Sequence, residues 1–142
     1  MIALEQQMPY LIDTDIIIYS LKNNSTVQRK FILHEQHPKA ISVVSYGELL
    51  TGAKKSSRVE KNSAVVFRIK ELFPVIPVDL PVMETFSSIK AALQLRGMPL
   101  DDMDLLIVAT ALTMNYTLVT NNEKHFGKID GLRVENWSRE DE

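Results

Sequence analysis

Acidic side chains close two short apolar runs of this chain and crowd the turn that opens a third. Tyr10-Leu-Ile-Asp13-Thr-Asp15 places two carboxylates directly after a hydrophobic stretch, Ala40-Ile-Ser-Val-Val-Ser-Tyr-Gly-Glu48 ends on another, and Asp101-Asp102-Met-Asp104 opens the run Leu105 to Ala109. Each has an ordinary structural explanation. Asp13 and Asp15 could cap a helix, Ser45 and Glu48 have the spacing of a capping box, and Asp101 could be an N-cap with Asp104 its partner. Capping needs at most two of the three aspartates at 101–104, and a carboxylate against apolar surroundings is costly unless it is paired or binds a cation. If Asp13, Glu48 and Asp104 converge, either one takes up a proton or a divalent ion neutralises them. There is no Cys, so any metal is held by oxygen or His, and hard carboxylate oxygens are the preference of Mg²⁺ with Mn²⁺ as a substitute. Such a site suits hydrolysis of phosphate esters, because the metal activates a bound water and polarises a phosphoryl oxygen.

Convergence requires elements that bring these residues to one place. The pattern predicts strands at Tyr10–Asp13, Ala40–Val44, Val75–Val78, Thr117–Thr120 and Leu132–Glu135, with Pro77 marking an edge or end position. Helices are predicted between them: one following Asp13, one capped by Ser25 and stopped by Pro38, one from Ser45 to about Lys54, and one from Arg58 to about Leu72. Two more run from Asp79 to about Arg96 and from Asp101 to Met114. Val27, Phe31 and Ile32 are expected to form one apolar face. Phe67, Ile69, Leu72 and Phe73 are assigned to the core, with Met103, Met114 and Trp137 as packing residues. Strands alternating with helices imply right-handed crossovers and a parallel α/β sheet of about five strands sandwiched between helices. In such a sheet ligands bind beyond the C-terminal strand ends, where Asp13, Glu48 and the Thr120-Asn121-Asn122 amides would lie. His125 reads as a surface or structural histidine.

The chain has 142 residues, 45% hydrophobic and 24% charged, the profile of one soluble domain with a sizeable core. No secretory leader is apparent at the N-terminus, and no apolar run approaches the ~20 residues of a membrane span. A cytoplasmic protein with no membrane association is expected. The formal net charge of −2 conceals a separation of sign: ten basic and three acidic residues lie between Lys22 and Lys70, against six and fifteen elsewhere. The near-neutral total therefore does not exclude RNA, although it does exclude a uniformly basic, non-specific binder.

Four segments in order carry a family resemblance: Leu11-Ile-Asp13-Thr-Asp15-Ile-Ile-Ile-Tyr19, Ser42-Val-Val-Ser-Tyr-Gly-Glu48-Leu-Leu-Thr-Gly52, Gly97-Met-Pro-Leu-Asp-Asp-Met-Asp104-Leu-Leu-Ile-Val-Ala109, and Leu118-Val-Thr-Asn-Asn122 with His125-Phe126 and Val134-Glu-Asn-Trp137. Over about residues 9 to 137 the chain resembles PIN-domain ribonuclease toxins of the VapC kind. The resemblance implies a three-layer α/β/α PIN-like domain over residues 1–142, with an N-terminal extension at 1–8 and an acidic tail at 138–142. It also implies a Mg²⁺-dependent endoribonuclease, the toxin component of a type II toxin–antitoxin pair, blocked by a small cognate antitoxin and forming a homodimer. Asp13, Glu48 and Asp104 match the family's metal-binding and catalytic acids. The family often has Asn where Asp15 stands. A fourth acid is common at positions held here by Asn122 and His125, so Asn122 is left to orient the attacking water, with Glu123 as a substitute.

The mechanism implied is hydrolysis of an RNA phosphodiester, with Asp13 and Asp104 holding the metal and Glu48 binding it or orienting the water. Lys54, Lys55 and Arg58, nearest the Glu48 helix in the basic stretch, are the expected phosphate contacts. Two rivals remain at this level. Asp13-Thr-Asp15 also resembles the nucleophile motif of haloacid-dehalogenase-like phosphatases, and a receiver-like binding module would use its acids only as caps.

Overall fold

The computed structural model describes residues 8–140. Five strands, β1 (Tyr10–Ile12), β2 (Lys39–Ser42), β3 (Val75–Ile76), β4 (Thr117–Val119) and β5 (Val134–Glu135), form one parallel sheet in the order β3-β2-β1-β4-β5. The helices are α1 (Thr14–Leu21), α2 (Ser25–Leu33), α3 (Val43–Lys54), α4 (Val59–Leu72), α5 (Leu80–Leu95), α6 (Asp102–Met114) and α7 (Glu123–Phe126).

Strand alternation divides the core. Tyr10 and Ile12 of β1, Ile41 of β2 and Val119 of β4 pack on one face with Ile16, Ile17, Val27, Leu49, Ala53, Val66 and Ile69 of α1 to α4. Leu11, Ala40 and Leu118 point to the opposite face, onto Ile107, Val108 and Ala111 of α6, Ile89 of α5 and Phe126 of α7. Both faces are covered, so β1 (Tyr10-Leu-Ile12) is buried throughout, and β2 and β4 carry polar residues only at their ends, Lys39, Ser42 and Thr117. This is the three-layer α/β/α arrangement that the alternation of elements implied. Among the described residues, no helix is long and apolar enough to cross a membrane.

The order of the sheet determines where a site can form. From β1 the chain winds outward through β2 to β3, then returns to pair β4 on the other side of β1. The C-terminal ends of β1 and β4 therefore border the crevice where the winding direction reverses, the usual ligand position in open α/β sheets.

Several local expectations are corrected. The Ser45–Glu48 capping box does not form: β2 stops at Ser42, whose own hydroxyl accepts from Val44 N at 3.0 Å, and α3 begins at Val43, two residues early. Asn24 rather than Ser25 caps α2, accepting from Val27 N at 3.0 Å. Asp13, not Asp15, caps α1. Asp79 and Asp101 cap α5 and α6 as expected, and β3 is an edge strand. Phe67, Leu72, Ile32, Met103 and Met114, expected to pack, are exposed, whereas Ile69, Val27 and Trp137 are buried. α2 buries only Val27 and α4 only the stripe Ser63, Val66 and Ile69, so Ile32, Phe67 and Leu72 beside them stay in solvent. The Asn/Lys/His segment after β4 forms the short helix α7. Of the expected terminal segments, 1–7 and 141–142 lie outside the described residues. Ser138, Arg139 and Glu140 are tied by side-chain contacts to Asn121, Glu123 and Arg29.

Candidate active site

Asp13 follows the last residue of β1 and begins α1, so its carboxylate is set between a buried strand end and a helix N-terminus. It is 5% exposed. One oxygen accepts from Thr14 N at 2.8 Å and the other from the buried Thr120 hydroxyl, beyond β4, at 2.7 Å. These bonds favour the ionised form, yet burial and then the charge of Asp15 outweigh them, with Asp104 adding to the push, and the Asp13 pKa rises to about 7. A carboxylate held this high marks a place that lacks positive charge.

The other acids surround it. Glu48 lies in the second turn of α3 and accepts from the Thr14 hydroxyl at 2.7 Å, so Thr14 touches both Asp13 and Glu48. Asp104, third residue of α6, is half-buried. Burial raises its pKa, as do the charges of Asp101, Glu48 and Asp15, while His125 opposes them. Asp15 is also raised, by burial first and by Glu48 last, against backbone amides of Asn121, Ile16 and Asp15 itself. Its Oδ2 accepts from Asn121 N at 3.1 Å, and its Oδ1 is buried without a hydrogen-bond partner.

Asp13, Glu48 and Asp104 thus come from three distant segments to one place: the charge of Asp104 acts on Asp13, that of Glu48 acts on Asp104, and Thr14 bonds to both Asp13 and Glu48. Asn122 stands at the same edge. Its backbone N–H donates to Thr120 Oγ1 at 3.0 Å, and its side chain makes no cap on α7. Asp101 serves as the α6 cap, and Asp102 pairs with Lys90 at 2.9 Å. That leaves Asp104 as the aspartate of this turn whose charge is coupled to Glu48 and Asp13. Glu123 pairs with Arg139 at 3.2 Å, which engages the acid that could replace Asn122.

A solvent-filled cleft of about 660 Å³ passes Glu48 and is lined also by Val44, Thr51, Lys55, Met103 and Leu106. A second groove, also about 660 Å³, runs from Glu48 along Ile18, Lys22, Leu49 and Val66. Lys55 therefore lines a cleft beside the acids, and Lys54 and Arg58 are exposed at the end of α3 and start of α4. Sequence reasoning missed Lys22 at the groove, and it missed Thr14 as the donor to Glu48. Only the position of Thr14 between two acids could have signalled it.

Among the described residues, no three acidic or His side chains close into a ready-made metal cage. The set is still suited to a hydrated hard ion: all donors are oxygen, Asp13, Glu48 and Asp15 are already held by hydroxyls or amides, and one buried oxygen, Asp15 Oδ1, has no hydrogen-bond partner. Mg²⁺ demands little more, because it retains several waters and binds through one or two carboxylates.

Comparison with known proteins places the chain in a family. The PIN domain family matches residues 10–132. The tRNA(fMet)-specific endonuclease VapC of Shigella flexneri is 33% identical over 132 residues, covering 92% of this chain and 99% of that protein. Ribonuclease VapC1 of Methanocaldococcus jannaschii is also 33% identical, with 92% and 89% covered. Among solved structures, VapBC2 from Rickettsia felis bound to a DNA fragment from its promoter superposes with a TM-score of 0.85 at 30% identity, covering 92% and 99%. A toxin–antitoxin complex from Klebsiella pneumoniae gives 0.69 at 25%, covering 90% and 97%. The chain belongs to the PIN-domain family, in its branch of VapC ribonucleases. The phosphatase and receiver-like readings fall with that membership.

Proposed function

We propose that this endoribonuclease, the toxin of a toxin–antitoxin pair, hydrolyses RNA with Asp13, Glu48 and Asp104 holding a divalent ion. The observation that carries the reading is the burial of Asp13 among like charges, which drives its pKa to about 7. Buried acids kept together at the crevice of an α/β sheet are unfavourable unless a cation joins them. When bound, Mg²⁺ or Mn²⁺ would lower the pKa of a coordinated water and draw charge from the phosphoryl oxygens.

The side chains have distinct tasks. Asp13 and Asp104 fix the ion's position at the β1 and α6 ends, and Thr120 and Thr14 keep Asp13 oriented. Glu48, held by Thr14, binds the ion or accepts a hydrogen bond from the attacking water. The Asn122 amide, free of a capping role, orients that water from the β4 side. Lys54, Lys55 and Arg58 bind phosphates of the RNA strand along the cleft that Lys55 lines. No covalent enzyme intermediate is needed. A small cognate antitoxin covers the site, as the VapBC complexes of the relatives suggest, and the toxin acts in the cytoplasm as a homodimer.

Asp13→Asn or Asp104→Asn should abolish Mg²⁺-dependent RNA cleavage and growth arrest while far-UV circular dichroism stays unchanged. Wild-type cleavage by either variant would overturn the metal assignment. Mapping RNA 5′ ends after induction of wild type and Asp13→Asn would identify the substrate.

A further inference from the structure

The Asn122 amide can orient a water only if the turn that carries it is held still. Asn121 and Asn122 are both exposed, so hydrogen bonds rather than apolar packing must hold that turn, and Asn121 gathers most of them. Its backbone N–H donates to Asp15 Oδ2 at 3.1 Å and its Nδ2 to the Tyr19 hydroxyl at 3.2 Å, which ties it to α1. Its Oδ1 is bound to the segment after β5 instead, accepting from the Ser138 hydroxyl at 2.6 Å and from Asn136 Nδ2 at 3.4 Å. The turn is in turn linked to the acids, because Thr120 Oγ1 accepts from Asn122 N while donating to Asp13 Oδ2. A shift of Asn121 and Asn122 therefore reaches the Asp13 carboxylate.

The segment after β5 is itself anchored. Trp137 is 1% exposed, packs edge-on to Tyr10 and Phe31 at 5.1 Å each, and stacks on His34 at 4.9 Å. Its Nε1 donates to Glu135 Oε1 at 3.1 Å, so the buried ring is satisfied at its polar end. On either side of it Asn136 and Ser138 are joined, with Ser138 N donating to Asn136 Oδ1 at 2.9 Å and Ser138 Oγ 2.6 Å from the same oxygen. The pairing of β4 with β5 ends at Val119 and Glu135, and its last backbone bond runs from Thr120 N to Glu135 O. Beyond that point side chains must carry the connection. The Arg139–Glu123 pair spans the same two segments, but at the surface an ion pair contributes little.

We infer that Ser138 is a positioning residue of the active site. Anchored by Trp137 and aligned by Asn136, its hydroxyl holds Asn121, and through Asn121 the Asn122 amide and the Thr120 hydroxyl, at the crevice. The inference rests on the proposed role of Asn122 and deepens it. The segment following β5 thus belongs to the architecture of the site although none of its side chains touches the reacting atoms.

Hydrogen–deuterium exchange of the metal-free, full-length protein, read by mass spectrometry on peptides spanning Leu118 to Phe126, tests the hold on the turn without any RNA. In Ser138→Ala the Asn121 and Asn122 amides should exchange about fivefold faster, the scale of one lost hydrogen bond in a local opening, while α5 and α6 exchange as in wild type. Ser138→Thr keeps the hydroxyl and should restore wild-type exchange. On total RNA from the expression host with Mn²⁺, Ser138→Ala should lower kcat by about tenfold with KM unchanged, because a misplaced water-orienting group is felt in the reaction and not in phosphate binding. Ser138→Thr should recover that loss. Wild-type exchange in Ser138→Ala would overturn the positioning role whatever the activity, and faster exchange with wild-type kcat would overturn the connection of this turn to the reaction. Wild type inert towards RNA would instead overturn the proposed nuclease site, with exchange still deciding whether Ser138 holds the turn.

Discussion

Thr120 donates its hydroxyl to Asp13 Oδ2 at 2.7 Å across 107 residues of sequence, and both side chains are buried. The bond joins the ends of two neighbouring central strands, β1 and β4, at the crevice. It also opposes the burial that raises the Asp13 pKa. Thr120→Val preserves shape and removes the donor. It should destabilise the metal-free protein at pH 8 by about 1–3 kcal/mol, the cost of leaving a buried acceptor unmatched. Thr120→Ser should recover most of that loss. Urea unfolding in chelator decides the matter, and coincident curves for wild type and Thr120→Val would show that the bond contributes nothing.

The stability of the metal-free protein should fall as the solution is made alkaline. Asp13 holds a proton up to about pH 7 in the folded protein, compared with 3.8 for a free side chain. Its folded pKa is raised, so its contribution is complete below 3.8 and disappears as pH rises through about 7, by up to roughly 4 kcal/mol. Asp15 and Asp104, also raised, act in the same sense. His34 acts in the opposite direction. Burial beside Trp137 lowers its pKa below 6.5, so its contribution is lost as pH falls below that value. Melting temperature in chelator should therefore decline from pH 5.5 to 8, and Asp13→Asn should flatten the decline. Added Mn²⁺ should raise the melting point more at pH 8 than at pH 5.5, where protons compete for the same oxygens.

Thr14 connects two of the acids, donating its N–H to Asp13 and its hydroxyl to Glu48. Glu48 is otherwise an exposed side chain on the second turn of α3, and without Thr14 it would sample many rotamers. Thr14→Val should thus lower Mn²⁺ affinity or the rate of RNA cleavage by about 10–100-fold, as the loss of groups that orient metal ligands does. Thr14→Ser keeps the hydroxyl and should stay close to wild type. Equal losses in the two variants would place the effect in packing instead.

The sequence carried the large-scale design because parallel strands buried on both faces must be apolar throughout, and Leu11, Ile12 and Leu118 meet that demand. Asp13, Glu48 and Asp104 were legible through their positions after or before such runs. The local role of Glu48 was not. The run Ser42-Val-Val-Ser45 offers two serines able to start a helix, and burial of β2 against β1 and β3 ended the strand at the first. Once α3 begins at Val43, Glu48 moves from a cap to the crevice. The Thr14–Glu48 and Thr120–Asp13 contacts span 34 and 107 residues, and no local pattern encodes pairings of that length. Phe67 and Leu72 were misassigned to the core because α4 exposes them beside a buried stripe of Ser63, Val66 and Ile69.

Binding of the RNA strand should reveal the basic end of α3. Lys54, Lys55 and Arg58 are exposed, and Lys55 lines the cleft that also contains Glu48. Each phosphate that a basic side chain neutralises releases counterions, lowering the slope of log affinity against log salt by about 0.7 on a single strand. In an Asp13→Asn background, which leaves the RNA uncut, Lys55→Ala should make the salt dependence shallower by about that amount. The triple variant Lys54→Ala, Lys55→Ala, Arg58→Ala should approach three times the change. Affinity should fall for every RNA sequence tested, because phosphate contacts position a strand without reading it. A triple variant with the wild-type salt slope would remove these residues from the RNA path and leave Lys22, on the other groove past Glu48, as the next basic side chain to replace.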